Sequence, residues 1–278
     1  MIVVLKLSAS NPIKLLLIAA VLLCSASGEE LRKAPNFDAK PVDQLTVAGN
    51  ACGPAALLAS FRFGDDPWRK VADDVPGDTE RERILSIIRK EGSRLSTHLD
   101  HHIRWSRKGV NVVDLCDMAN EMTLGRYLPR IEYEIFILKN REDQSELLKR
   151  VHSRLSKSLA KGLPPMISLR RFANRSGKEQ GKWEIVDGHF VTVIGISKKL
   201  PRGADSFAVT YLDPWGGKRC EGVIKIPQVA FLQPGNANPD PQISPSLEAD
   251  FPEAGIGKSR LGKEDLTVIT VAAGIGRW

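Results

Sequence analysis

The chain has 278 residues, of which 42% are apolar and 26% charged, with a formal net charge of +7. These are ordinary proportions for a globular protein with ample chain to bury a core. Its basic residues are scattered, as in Arg69-Lys70, Arg170-Arg171 and Lys198-Lys199, and are not interleaved with aromatics, so no nucleic-acid partner is expected.

At the N-terminus, Lys6 and Lys14 precede the apolar run Leu15 to Leu23, and the small residues Ser25-Ala26-Ser27-Gly28 follow. A charged start, an apolar stretch too short to span a bilayer and a small-residue cleavage site predict a signal peptide over residues 1–28, cut after Ser27 or Gly28. The mature protein is then expected to be secreted or periplasmic, without an integral membrane segment. Lipid attachment at Cys24 is left open, although Leu23 is bulky for such a site. Losing Lys6 and Lys14 leaves 38 basic against 33 acidic residues. Of the cysteines, Cys52, Cys116 and Cys220 remain, an odd number in an oxidising compartment.

Residues 29–278 read as a single domain. Residues 29–49 are extended and loop-like, with breakers at Pro35 and Pro41. Asn50-Ala51-Cys52-Gly53-Pro54 then leads into the apolar residues Leu57, Leu58, Phe61 and Phe63, predicting a helix from Pro54 to about Phe63 that stops at Gly64. Cys52 therefore stands at a helix N-terminus, where unpaired N–H groups and the helix dipole favour thiolate over thiol. Further helices are expected from an Asp78 cap to Arg89, over 111–122 beginning at Asn111, and from Leu147 to Leu159, ending at Gly162. Cys116 lies on the apolar stripe of the second of these and reads as a buried hydrophobe. A bridge from it to Cys220, in a polar loop, is left open. The alternation Ile131, Tyr133, Ile135, Ile137 predicts a half-buried strand. Strands are also expected at Pro165–Phe172, Phe190–Ile196, Phe207–Leu212, Val223–Ile226 and Leu266–Ala272. Residues 233–263 are rich in Pro, Asn, Asp and Gly and read as a long surface loop. Helices first and strands later argue for an α+β fold with two halves packed across a cleft.

A thiolate nucleophile needs a base and a group to orient that base. Of the five histidines, His152 reads as a surface residue of an amphipathic helix. His98 and His102 would share a helix face at a spacing used in zinc sites, but no third ligand is evident, and exposed polar residues are the better account. His189 opens a buried strand in Asp187-Gly188-His189-Phe190-Val191. The next strand ends at Asp213 in Tyr211-Leu212-Asp213-Pro214-Trp215-Gly216-Gly217. An antiparallel hairpin pairing Gly195 with Phe207 would set His189 directly opposite Asp213, about 5 Å apart at Cβ. Trp183 and Trp215 flank the pair and are candidates for the walls of a peptide groove. The pair Gly216-Gly217 reads as a turn.

Cys52-Gly53-Pro54, Gly188-His189-Phe190-Val191 and Asp213-Pro214-Trp215-Gly216-Gly217, in that order, resemble papain-like cysteine peptidases. They are most similar to the bacterial branch related to the double-glycine leader peptidases of bacteriocin exporters, though the chain lacks the transporter spans. The resemblance covers roughly residues 44–63 and 186–217. It implies a papain-like fold, with a helical half bearing the Cys52 helix packed against an antiparallel sheet half. It also implies a Cys52–His189–Asp213 triad that cleaves peptide bonds without metal or cofactor, acting on a peptide or protein substrate. The family's oxyanion amide would be Gln44, eight residues before the cysteine instead of six, with Asn50 as the alternative. A non-catalytic peptide-binding module, a cell-wall-peptide hydrolase and a transglutaminase-like amide transfer are the competing expectations.

Overall fold

The computed structural model describes residues 30–47, 49–175, 183–227, 244–252 and 256–278. The expected signal peptide, Cys24 and residues 233–243 and 253–255 of the expected loop lie outside them.

Ten strands occur among the described residues: β1 (Leu31–Lys33), β2 (Trp105–Ser106), β3 (Gly109–Val110), β4 (Glu132–Ile135), β5 (Met166–Asn174), β6 (Trp183–Ser197), β7 (Ser206–Asp213), β8 (Lys218–Lys225), β9 (Leu247–Asp250) and β10 (Leu266–Gly276). Five α-helices accompany them: α1 (Cys52–Arg62), α2 (Asp66–Asp73), α3 (Glu80–Ile87), α4 (Val112–Met122) and α5 (Gln144–Ala160). Leu31–Trp278 form one compact unit.

The papain-like arrangement is not what the chain forms. Strands β5 to β10 close into a six-stranded antiparallel barrel, each paired with two neighbours in the order β6-β5-β10-β9-β8-β7 and back to β6. β1 extends this sheet from β6, and β4 extends it from β10. Closure needs strongly coiled strands. The register shifts between Arg171 and Phe172, Val193 and Gly195, and Val271 and Ala273 supply the bends. Closure also needs β9, which bridges β8 and β10. That strand lies within residues 233–263, where prolines and glycines on either side suggest only loop.

α1 is apolar all round, with every residue from Cys52 to Phe61 buried. A helix of that kind must be enclosed. It packs against β6 on one side and against α2, α3 and α4 on others. Thr192 on β6 donates its hydroxyl to the Ala56 carbonyl at 2.9 Å, and Ser60 donates to the Pro164 carbonyl at 2.6 Å, fixing the helix to the barrel at two points. Phe61 stacks on Trp68 of α2, with ring centroids 5.9 Å apart.

The helix starts follow local chemistry. α3 begins with a capping box between Thr79 and Glu82, one residue after the expected Asp78. Asn111 caps α4 as expected, and Asp143 with Glu146 boxes the start of α5. Arg150 of α5 reaches both Glu134 of β4, at 2.6 Å, and Glu142, at 2.7 Å, and so clamps that helix to the outer strand. His152 is not a surface residue. It is buried, sits 2.8 Å from the Ser197 carbonyl and meets Phe207 edge-on.

Candidate active site

Cys52 is the first residue of α1, and how it is held follows from the loop before it. The Asn50 carbonyl accepts from the Trp105 indole N–H at 2.9 Å, which ties the loop to the β2–β3 hairpin. Ala51 occupies the cap position without a capping side chain, and the first turn carries no acidic residue. The leading N–H groups of α1 are thus left to stabilise negative charge at the helix tip. The Cys52 side chain is 7% exposed.

His189 lies in the middle of β6, not at the start of a strand, at the point where the strand passes from exposed to buried residues. Asp213 is the last residue of β7. The expected directly opposed register does not occur, because the bulge between Val193 and Gly195 shifts it. Thr192 pairs with Leu212, and Gly195 with Thr210 instead of Phe207. Continuing that register one step sets Asp213 across from Val191, on the diagonal from His189. An imidazole is long enough to cover a diagonal. His189 Nε2–H donates to Asp213 Oδ1 at 2.7 Å, and both side chains are buried.

Asp213 is itself held. Its Oδ1 also accepts the Trp215 N–H at 2.8 Å, from the turn that Gly216 and Gly217 make with φ of 87° and 59°. With Nε2 engaged, Nδ1 is the ring nitrogen left for Cys52, whose sulfur lies close enough to His189 to act on its charge. Burial works against a charged imidazole here. The hydrogen bond to Asp213 and the nearby Cys52 sulfur, with the charges of both groups, outweigh it and raise the His189 pKa to about 10. The Cys52, His189 and Asp213 side chains thus meet in one chain of polar contacts.

Gln44 is brought beside the residues that follow Asp213 by another route, and it is not among those lining the cleft at Cys52. It opens a short 3₁₀ turn, Gln44–Thr46, whose cap Asp43 accepts from the N–H groups of both Leu45, at 2.9 Å, and Gly216, at 3.1 Å. The Gln44 N–H donates to the Pro214 carbonyl at 2.8 Å, so this turn is docked on the residues that follow Asp213. The Gln44 side chain is 3% exposed, and its Oε1 is buried with no partner. An unanswered buried acceptor costs about 1–3 kcal/mol, and the contact this oxygen lacks is a donor; an oxyanion would call on the amide N–H groups instead. Asn50, the alternative amide, lines the cleft beside Cys52.

That cleft, of about 190 Å³, runs along Cys52 and His189. The β2–β3 hairpin forms one wall through Lys108, Gly109 and Val110, and β5 contributes Ser168 and Arg170. Nothing in the spacing of the sequence pointed to that hairpin, although Trp105 and the Lys108-Gly109 turn carry its local signal. Trp183 packs with Phe172 and Val268, away from the cleft lining, while Trp215 is about half exposed beside Asp213.

The remaining reactive residues are elsewhere. Cys116 is buried, its Sγ donates to the Ile131 carbonyl at 3.4 Å, and burial pushes its thiol up to about 12. It is not bridged to Cys220, which is buried on β8 and not in a polar loop. His98 to His102 form exposed turns, not a helix, with His98 3.3 Å from Asp117. Among the described residues no helix is long and apolar enough to cross a membrane, and no cluster of three potential metal ligands occurs.

No protein-family model matches the chain, and neither a curated protein nor a solved structure is significantly similar to it. The likeness to cysteine peptidases therefore stands on the three short motifs, and the fold around them is a different one.

Proposed function

We propose that the protein is a cysteine-dependent hydrolase of amide bonds in peptides, acting through Cys52, His189 and Asp213. One observation carries this reading: a buried imidazole is gripped by a carboxylate at 2.7 Å on one nitrogen and faces a helix-tip sulfur with the other. A binding module has no use for that alignment. Pairs of this kind are how a thiol is made nucleophilic.

In this mechanism the Cys52 sulfur attacks the amide carbon, a C–S bond forms, and the carbonyl oxygen becomes an oxyanion. The N–H groups at the start of α1 and the Gln44 amide stabilise that charge, with Asn50 as the second candidate amide. The imidazolium of His189 gives its Nδ1 proton to the departing amine as the C–N bond breaks, leaving a thioester. Water then attacks the thioester, His189 takes its proton, and C–S cleavage releases the acid and restores the starting pair. Asp213 keeps Nε2–H engaged throughout, so that Nδ1 always faces the reaction. The leader-like pattern of residues 1–28 supports export, which would put such an enzyme among extracytoplasmic peptides.

The test is labelling with a thiol-directed electrophilic peptide, read by mass spectrometry. Selective modification of Cys52 over Cys116 and Cys220 is expected, with loss of that selectivity in His189→Gln and loss of peptide hydrolysis in Cys52→Ala. Labelling of Cys52 that does not respond to His189 would show that the thiol is not activated.

A further inference from the structure

Two cations project into the cleft beside Cys52 from different elements: Lys108 from the β2–β3 hairpin and Arg170 from β5. Both are exposed, and neither side chain is hydrogen-bonded or ion-paired to another described residue. Two neighbouring arginines, unlike the exposed Arg107 beside Lys108, are engaged within the protein. Arg171, next in sequence, is buried and donates to the Ile256 carbonyl. Arg104 is bound to Glu121 through two nitrogens. The one carboxylate that lines the cleft among the described residues, Asp187, is already answered, accepting the Gly188 N–H at 2.8 Å and facing Arg260 at 3.8 Å. Next to the cations, the Ser168 hydroxyl and the Asn50 amide also make no hydrogen bond within the described protein.

Resting on the reading of Cys52 and His189 as catalytic, we propose that the substrate is an acidic peptide. A carboxylate close to the scissile amide is held between Lys108 and Arg170, with Ser168 and Asn50 as neutral donors beside it. Arg170 offers a forked pair of N–H groups and Lys108 a point charge, together a good match for a carboxylate. The site is open, so its contribution is modest and sensitive to salt.

The experiment uses Cys52→Ala protein, which removes turnover from the measurement. A dye-labelled neutral peptide carrying one glutamate and its glutamine counterpart are each titrated and followed by fluorescence anisotropy. The glutamate peptide is expected to bind roughly three- to tenfold more tightly at low salt. Added salt should shrink that preference, and the Lys108→Gln/Arg170→Gln double variant should abolish it. Both positions are exposed, and a circular-dichroism melt checks that the double variant is folded. Equal affinities, failure of both peptides to bind, or a preference that survives the double substitution overturns the proposal. Because the thiol takes no part, this outcome is separate from the labelling of Cys52, whose failure would overturn the catalytic reading instead.

Discussion

At Gly53 there is no room for a side chain. A Cβ there would meet Val110 Cγ1 at 2.3 Å and Leu115 Cδ2 at 3.5 Å. The Cys52 helix can lie this close to the cleft wall only because its second residue is glycine. Gly53→Ala should therefore destabilise the protein by about 1–3 kcal/mol, measured by chemical denaturation. Trimming the clashing partner, in Gly53→Ala/Val110→Ala, should recover much of that loss, and no recovery would place the strain elsewhere. His189 sets a second expectation. Its pKa in the folded chain, about 10, lies above its ordinary 6.5, so the folded state binds the proton more tightly. That stabilisation is fully present below 6.5 and is lost as pH rises through about 10. The melting temperature of the parent should exceed that of His189→Gln most clearly at the acid end and converge with it at the alkaline end. Asp213→Asn keeps the shape but removes an anion that holds the proton on His189. It should move the alkaline midpoint of Cys52 labelling downward, and a midpoint that stays in place would rule out the charge of Asp213 as its cause.

Two short elements, more than the helices, set the geometry of the site. The Gln44–Thr46 turn is held through Asp43, whose Oδ1 serves both Leu45 and Gly216. Asp43→Ala should cost about 1–2 kcal/mol and lower kcat for peptide hydrolysis more than it raises KM, since it loosens the turn that carries the candidate oxyanion amide. An effect on KM alone would remove Gln44 from that role. The sequence made the Cys52 helix, the Asn111 cap and the strand end at Asp213 readable, because proline, glycine, asparagine and apolar spacing act over a few residues. It did not reveal which residue lies across from His189. A one-residue bulge between Val193 and Gly195 decides that, and its mark in the sequence is Gly195, a glycine inside a strand, which signals an irregularity without saying which way the register moves. The contact with Asp213 was anticipated for the wrong pairing, and it forms because the true register still leaves the two residues on a diagonal. The β2–β3 hairpin, two residues on each side, is shorter than any periodicity can register.

Across the whole molecule, the difference between a helical half beside a sheet half and a closed barrel rests on one four-residue strand and one long terminal one. β9 has almost no strand signature of its own, and its place comes from the open edges of β8 and β10 on either side. Such pairings join distant parts of the chain, and only the assembled sheet specifies them. β10 is the seam, since it pairs with β5 along nearly its whole length and with β9 and β4 as well. A break there should open the barrel. Val271 faces Leu169 on one side and Leu247 on the other, so Val271→Pro removes an N–H and wedges a ring into a central position. Tyr133 of β4 lies on a strand that, among the described residues, pairs only with β10, where the same substitution disturbs a margin. By circular dichroism, Tyr133→Pro should keep a cooperative melt at a lower temperature, whereas Val271→Pro should lose cooperativity. Loss of cooperativity should also abolish His189-dependent labelling of Cys52, because β6 and β7, which bring His189 to Asp213, are held in place by that same ring of strands. Were Val271→Pro to melt like the parent and keep its labelling, β10 would be dispensable, and the barrel would not be what positions the site.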